Sequence, residues 1–425
     1  MTQDSQLSDE LLRQLMAVGH VDVLVGLPTL NNAATIGGIV AAVHQAFAKY
    51  FPRDRTLLVN SDGGSDDGTP AILRESSGDK TETLTVTHSL RTSHLISTPY
   101  HGLPGKGNAL RHILTAAELT QARAVAVLDA GVTTMTPEWI AALIRPVTNQ
   151  QFDYVAPVYE RHALDGPLVT QVVRPLIRAT YGWQVQEPLA AEFGCSSRFL
   201  SYCLEQDVWE SKLARDGIDL WVTCAALSSG FRCCQAPLGP RGTAPGLVRP
   251  VFPDVFQQVA GSAFGCLDLH ASYWLTRTTA DPLTMVGTPP GGPTDAPATD
   301  GARLTQSFCA DLQNLQSVLE PILSRDTLHA LNRMADVDSE QLRYADDLWV
   351  STVYEFLVAH HRGVMRGEHI AQALIPLYLG RTGSFLIQYA AADPAEVNSA
   401  LESLCLQFER SKPDLVERWN KTSQR

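Results

Sequence analysis

The stretch DVLVGLPTLNNAATIG, residues 22–37, decides the fold. Its first six residues, 22–27, form an apolar run of strand length that ends at Pro28. Residues 33–49 then carry apolar side chains at helical spacing. A buried strand that leads through a short polar loop into a helix is the repeating unit of a parallel sheet covered by helices.

The same pattern repeats further along the chain. Apolar runs predict strands at 56–59 and 124–128, and helical spacing predicts helices at 70–75 and 109–119, with a short amphipathic helix at 8–18 before the first strand. Residues 154–239 have a mixed pattern, with helices predicted near 169–180, 197–205 and 218–227. We therefore predict an α/β fold with a Rossmann-like, mostly parallel sheet and helices on both faces.

The character of the sequence changes near its last third. Residues 279–303 are rich in Pro and Gly, which is typical of a linker or exposed loop. Beyond them the pattern is helical only. We predict an N-terminal helix at 1–20, an α/β domain at 21–278, a linker at 279–303 and an α-helical C-terminal module at 304–425.

Composition excludes several classes of function. The 425 residues include 33 Lys and Arg against 45 Asp and Glu, a formal charge of −12, and no basic run, so neither a nucleic-acid nor a membrane partner is expected. Residues 1–9 lack the pattern of a secretory signal, and no apolar run approaches about 18 residues, so we expect a cytoplasmic protein. The eight cysteines show no CxxC pair, and we expect them to be buried and unpaired.

Polar loops follow the predicted strands, and parallel sheets bind ligands at the carboxyl ends of their strands. None of these loops is a dinucleotide or P-loop fingerprint. Their sequences are PTLNNAATIG at 28–37, DGGSDDGT at 62–69, PGKG at 104–107 and LDAG at 128–131.

In this order the motifs resemble those of GT-A nucleotide-sugar glycosyltransferases, in particular the retaining synthases of glucosyl-3-phosphoglycerate and mannosylglycerate. The likeness continues in VTQVVRPL at 169–176 and EPLAAEF at 187–193. It implies transfer of a glucose or mannose unit from a nucleoside-diphosphate sugar to a small hydroxy acid or polyol such as glycerate, giving a compatible-solute glycoside. It also divides the α/β domain into a nucleotide half, 21–150, and an acceptor half, 151–278, with the C-terminal module supporting the acceptor side and a homodimer contact or forming internal core.

The resemblance and the chemistry of the side chains together give candidate ligands for the nucleotide sugar. Asp62 can accept hydrogen bonds from a base or ribose, and Lys106 between two glycines can reach a diphosphate. The alternatives are a solvated turn at Asp62 and a surface lysine at Lys106. The full candidate set is Pro28, Leu30, Asn32, Asp62, Lys106, Asp129 and Ala130.

The resemblance also implies an acceptor site formed by Arg161, Asp165 and Thr170. Leu168 stands where the phosphoglycerate enzymes place an Arg, which weakens the case for a phosphorylated acceptor. Glu192 and Asp219 are the candidate catalytic carboxylates, with substrate positioning as their first role and acid–base work as the second.

The family binds Mg²⁺ or Mn²⁺ through an Asp-x-Asp pair and a later His, and here both partners of Asp129 are replaced, by Gly131 and Thr243. Three explanations stay open. Asp129 holds a metal weakly with water and the diphosphate; a cation such as Arg241 or Lys106 replaces the metal, so that the enzyme works without one; or catalysis is lost and a sugar-nucleotide-binding relative remains. A sugar-phosphate nucleotidyltransferase is disfavoured, because the first loop lacks a Gly-rich basic stretch.

Overall fold

The computed structural model describes residues 9–77, 83–87, 106–242, 253–288, 300–339 and 341–421. The chain forms two compact units, each discontinuous in sequence. The first comprises residues 1–160, 186–248 and 283–292, and the second comprises 161–185, 249–282 and 293–425. The domain boundaries expected from the sequence stay a prediction.

The strands are numbered in chain order. They are β1 Val23–Thr29, β2 Thr56–Asp62, β3 Thr83–Thr87, β4 Ala124–Val127, β5 Tyr154–Glu160, β6 Trp183–Gln184, β7 Phe193–Ser196, β8 Cys233–Pro240, β9 Asp281–Pro282 and β10 Thr284–Met285.

Eight of these strands form one sheet in the first unit, in the order β10-β8-β5-β7-β4-β1-β2-β3. Strand β1 lies between β2 and β4 and is parallel to both, with Val25 opposite Leu58 and Ala126. Only β7 runs against its neighbours β4 and β5 among the described pairs of this sheet. The predicted mostly parallel α/β sheet is confirmed.

Helices α1–α5 and α7–α9 belong to the first unit, and α6 and α10–α17 to the second. They are α1 Asp9–Val18, α2 Ile36–Tyr50, α3 Thr69–Ser77, α4 Lys106–Leu119, α5 Pro137–Gln150, α6 Arg174–Tyr181, α7 Ser197–Leu204, α8 Lys212–Asp216, α9 Ile218–Ser228, α10 Pro253–Leu269, α11 Ala271–Trp274, α12 Gly301–Asn314, α13 Gln316–Leu319, α14 Arg325–Ala335, α15 Asp346–His361, α16 Gly367–Tyr389 and α17 Pro394–Asn420.

Helices cover both faces of the sheet. Successive side chains of a strand point to opposite faces, so neighbouring residues of β1 contact different helices. On one face Val25 of β1 belongs to a buried apolar cluster with Val40 of α2 and Ile144 of α5. On the other face α4 approaches β1 so closely that a Cβ on Gly26 would overlap the side chain of Ile113. Glycine at position 26 is therefore required by helix–sheet packing.

The second unit is mainly helical, and from Gly301 onward every described element is a helix, which confirms the predicted helical C-terminal region. Helix α16 is long and apolar enough to cross a membrane, but 78% of its apolar window is buried inside the protein. It also contains the buried Arg381, which donates to Gln171 Oε1 at 2.9 Å and to Asp346 Oδ1 at 2.6 Å. These are the features of a core helix of this unit.

The structure contains β3 and α5, which the sequence pattern did not predict, and it differs from the prediction mainly in residues 154–239. Strands β5, β7 and β8 lie there, and the predicted helix at 169–180 begins as a π-helical turn, Val169–Val173, before α6. The described part of the Pro/Gly-rich segment contains the short strands β9 and β10 and the start of α12. All eight cysteines lie in the described residues, none forms a disulfide, and six are buried.

Candidate functional site

The loops after β1 and β2 are joined by a hydrogen-bond network centred on Asp62, the last residue of β2. Its buried carboxylate accepts four hydrogen bonds, from Thr29 Oγ1 at 2.9 Å, Gly64 N at 3.0 Å, Ser65 N at 2.9 Å and Ser65 Oγ at 2.6 Å. A carboxylate offers about four lone-pair sites. Asp62 therefore fixes the turn that follows β2, and the predicted contact with a nucleotide would have to replace one of these bonds.

Asp67 makes a second connection between the same loops. Its side chain accepts from Ala33 N at 2.8 Å and from Thr69 Oγ1 at 2.6 Å, while Thr69 Oγ1 accepts from Asn32 N at 2.8 Å. Burial opposes ionisation of Asp67, but these hydrogen bonds outweigh it and lower its pKa. The predicted ligand Asn32 also accepts from Leu30 N at 2.8 Å. The loop conformation is thus set by side-chain-to-backbone bonds before any ligand binds.

A cluster of charged side chains lies at the same carboxyl edge of the sheet. Asp129 follows β4, Glu192 precedes β7, and Arg241 follows β8; because β7 is antiparallel, its start lies at the edge where β4 ends. Arg241 Nη2 donates to Asp129 Oδ2 at 2.6 Å, and Arg241 Nε donates to Glu192 Oε1 at 3.3 Å. Tyr159, at the end of β5, donates its hydroxyl to Glu192 Oε2 at 2.5 Å. We call Asp129, Tyr159, Glu192 and Arg241 the edge cluster.

The edge cluster is shielded from solvent. The side chain of Glu192 is fully buried, and those of Arg241 and Asp129 are 10% and 14% exposed. Burial disfavours the charged guanidinium, but the carboxylates of Glu192 and Asp129 outweigh it and raise the pKa of Arg241. Burial and the neighbouring Glu192 raise the pKa of the Tyr159 hydroxyl well above its ordinary value, so this group is a hydrogen-bond donor at neutral pH.

The backbone that carries Arg241 is held in place on both sides. Strand β8 pairs with β5 up to Glu160 and Pro240. Just beyond, Gly242 N donates to Thr134 Oγ1 at 2.9 Å, and Thr133 N donates to Gly242 O at 3.0 Å. A Cβ on Gly242 would come within 2.8 Å of both threonine side chains. Arg241 is thereby presented to Asp129 by fixed backbone on each side.

The edge cluster does not fit a divalent metal ion. Asp129 Oδ1 already accepts from Gly131 N at 2.8 Å, and Asp129 Oδ2 accepts from Arg241. A metal ligated by Asp129 would have to share the carboxylate with the guanidinium and would lie beside its positive charge. Within the described ranges no group of three or more His, Cys, Asp or Glu side chains is arranged to hold a metal, and Thr243 lies outside those ranges.

Lys106 and Asp219, predicted for different roles, form one buried ion pair. Lys106 Nζ lies 2.6 Å from Asp219 Oδ1 and 2.7 Å from Oδ2, and the two residues are 4% and 7% exposed. The neighbouring Gly107 packs where a Cβ would overlap the carbonyl of Ala214 in α8. Lys106 and Gly107, the two residues of the PGKG motif that the structure describes, therefore both contribute to the packing of α4 in the first unit.

The remaining predicted residues of the first unit belong to buried structure. Pro28 is buried within β1, Leu30 is half-buried just after it, and Ala130 is buried after β4. The Ala130 carbonyl accepts a hydrogen bond from Thr35 Oγ1, which connects the third loop to the first. Three loops from separate strands are thus linked at one edge.

The three predicted acceptor ligands come together within the second unit, around a turn at Gly166. A Cβ on Gly166 would come within 2.9 Å of Arg161 Nη1, Asp165 Oδ1 accepts from Gly166 N at 2.8 Å, and Thr170 N donates to Gly166 O at 3.0 Å. Arg178, in the same unit, forms a bidentate pair with Glu402 at 2.7 and 2.8 Å. An acceptor role for Arg161, Asp165 and Thr170 stays a prediction.

Sequence reasoning missed two residues of this region, Tyr159 and Asp67. The buried position of Tyr159 in an unpredicted strand left no signal in the sequence pattern. Asp67 lies in the quoted DGGSDDGT motif, and its place two residues before Thr69 is the spacing of an Asx-type turn, which could have indicated it.

No protein-family model and no curated protein matches the chain. Among solved structures it is similar to glucosyl-3-phosphoglycerate synthase from Mycobacterium tuberculosis. The complex of that protein with Mg²⁺ and UDP matches at 22% identity and TM-score 0.43, over 63% of this chain and 84% of the other. The complex with Mn²⁺, UDP-glucose and phosphoglyceric acid matches at 22% identity and TM-score 0.42, over 63% and 85%. A further mycobacterial protein matches at 21% identity and TM-score 0.44, over 63% and 80%. Similarity at this level does not assign the chain to their family.

Proposed function

We propose that the chain is a glycosyltransferase that binds a nucleoside-diphosphate sugar at the carboxyl edge of the sheet in its first unit. The donor sugar is glucose or mannose, the acceptor is a small hydroxy acid or polyol such as glycerate, and the configuration at the anomeric carbon is retained. A homodimer and a cytoplasmic location remain predictions from the sequence.

One observation carries the proposal. The loops 28–37, 62–69 and 128–131, whose order resembles that of GT-A enzymes, meet at a single edge and are connected through Thr35 and Asp62. The edge cluster lies there too: Asp129 comes from the third loop, and Glu192 and Arg241 come from two other segments. Open α/β sheets bind their ligands outside the carboxyl ends of the strands, which is where these groups lie.

The proposed transfer needs no reactant other than the sugar donor and the acceptor. The bond between the anomeric carbon and the diphosphate oxygen breaks, and its electron pair stays on the diphosphate. The acceptor hydroxyl oxygen forms the new bond to the anomeric carbon, and its proton passes to the departing diphosphate. In this scheme Glu192 and Asp129 hold Arg241 in place, and neither has to remove a proton.

Product formation tests the proposal directly. The protein would be incubated with UDP-glucose or GDP-mannose and with glycerate, 3-phosphoglycerate or glycerol, and products would be detected by mass spectrometry. We expect product with at least one pair and a loss of roughly 100-fold or more in the Asp129→Asn variant, because Asp129 holds Arg241. Asp54→Asn, which removes a carboxylate paired with Arg123 at the surface, is the matched control and should keep full activity.

A second function is favoured by one specific contact. Asp219, one of the two candidate catalytic carboxylates, is engaged with Lys106, which suits a sugar-nucleotide-binding protein without catalytic activity. Binding of UDP or GDP with no product from any pair would support this regulatory or scaffold role. Absence of both product and nucleotide binding would refute the two functions together.

A further inference from the structure

The edge cluster carries one positive side chain beside Asp129, the residue at which the motif resemblance implies a metal ion. Arg241 contacts Asp129 and Glu192 at once, as a bridging cation would, and its Nη2–Asp129 distance of 2.6 Å is that of a strong charge-assisted hydrogen bond. The guanidinium also lies 5.5 Å from the centre of the Tyr159 ring. The contacting residues lie at the ends of β4, β5 and β7, and the arginine itself directly follows β8.

We propose that Arg241 replaces the divalent cation at this edge, so that nucleotide binding does not depend on a metal ion. The inference rests on the proposed function for the identity of the ligand. It deepens that function by naming the cation that faces the diphosphate and by predicting how the site responds to chelators.

Two properties of Gly131 suit this replacement and disfavour a metal site. A Cβ on Gly131 would lie 3.3 Å from Asp129 Oδ1, so a second carboxylate at position 131 would crowd the first. The Gly131 backbone N–H instead donates to that same oxygen. Asp129 is thus oriented by a backbone donor on one oxygen and by the guanidinium on the other.

Charge has a further consequence for the ligand. Two carboxylates and one guanidinium have a formal charge of −1, whereas a divalent ion in place of the guanidinium would give zero. We therefore expect diphosphate binding that is weaker than at a metal site of the same geometry, and that is unchanged by chelation. Magnesium should neither strengthen this binding nor be required for it.

Manganese binding tests the replacement without using the nucleotide. Free and bound Mn²⁺ would be measured by electron paramagnetic resonance, and thermal unfolding would be followed with and without Mn²⁺. Arg241→Met keeps an apolar stem of similar length and leaves Asp129 and Glu192 without their shared cation. We expect this variant to bind Mn²⁺ about tenfold or more tightly than the wild type and to be stabilised by it, because ligand binding to the native state raises stability.

Two controls make the result specific. Arg123→Met removes an exposed arginine that pairs with Asp54 at 3.4 Å, and it should bind Mn²⁺ no better than the wild type. The double variant Asp129→Asn, Arg241→Met should lose the Mn²⁺ affinity gained by the single variant. If Arg241→Met does not fold, the wild type alone still decides, since tight Mn²⁺ binding or nucleotide binding that weakens tenfold in chelator overturns the proposal.

Failure of this inference and failure of the proposed function are distinguishable. A protein that binds neither UDP nor GDP refutes the function, while the Mn²⁺ contrast between wild type and Arg241→Met still shows whether the arginine occupies a cation site. Equal Mn²⁺ affinity in both proteins overturns the replacement, and product formation would then still support the transferase.

Discussion

Replacing Lys106, the first residue of α4, by Met removes the cation of a buried ion pair. The ammonium lies 2.6 and 2.7 Å from the two oxygens of Asp219, and both residues are less than 8% exposed. At 2.6 Å and an effective dielectric constant of about 20, the Coulomb attraction is about 6 kcal/mol, much of which offsets the cost of removing both charges from water. Leaving Asp219 buried without its cation should cost about 3–5 kcal/mol of unfolding free energy.

Urea unfolding of four proteins measures this effect: the wild type, Lys106→Met, Asp219→Asn and the double variant. We expect the double variant to be more stable than the sum of the single losses predicts, with a coupling of about 2 kcal/mol or more, because it leaves no unpaired buried charge. Lys49→Met is the matched control. Its partner Glu138 lies 2.9 Å away, but both side chains are more than half exposed, so no measurable change is expected.

The same variants separate a packing role from a ligand role for Lys106. If the lysine serves the diphosphate and not the fold, Lys106→Met should keep the stability of the wild type and lose nucleotide affinity. Stability within about 1 kcal/mol of the wild type, or strict additivity in the double variant, would refute our interpretation of the pair.

Two further predictions concern packing and pH. Gly26→Ala should lower the unfolding free energy by about 1–3 kcal/mol, because the added methyl group overlaps the side chain of Ile113. In a protein that also carries Ile113→Ala, the same methyl group should lower the unfolding free energy by less. An equal loss in both backgrounds would contradict the close approach of α4 to β1. Burial lowers the pKa of His270 to about 4, below its ordinary value of 6.5, so folding favours the neutral ring and stability should fall as pH drops from about 6.5 to 4. His270→Asn should flatten that part of the pH–stability curve measured by urea unfolding, and an unchanged slope would show that other groups set it.

The parts of the fold that follow from local pattern could be predicted. The apolar runs of β1, β2 and β4 indicate buried parallel strands. The loops after them are adjacent because parallel neighbouring strands end at the same edge of the sheet. Strands β5, β7 and β8 were not predicted. They pair segments far apart in sequence, such as Tyr154 with Cys233, and their residues have no clean alternation of apolar and polar side chains.

The candidate site shows the same division. Asp62 and Asp129 could be located from the motifs, because each lies within three residues of the end of a predicted strand. The residues that pair with these carboxylates could not be located from the motifs. Arg241 meets Asp129 across 112 residues of sequence and Lys106 meets Asp219 across 113, and which charges pair over such separations is decided by strand order and helix packing. From the sequence, either Arg241 or Lys106 could be the cation that replaces the metal. In the structure Arg241 pairs with Asp129 and Lys106 pairs with Asp219.

Hydrogen exchange with and without nucleotide tests whether the carboxyl edge of the sheet is a metal-independent nucleotide site. The protein would be exchanged in chelator, alone and with saturating UDP or GDP, and peptides covering 22–37, 56–69 and 124–134 would be compared with peptides from α15 and α17. We expect slower exchange in the three edge segments with at least one of the two nucleotides. Unchanged exchange there with both nucleotides in chelator, or protection that appears only after Mn²⁺ is added, would contradict this expectation.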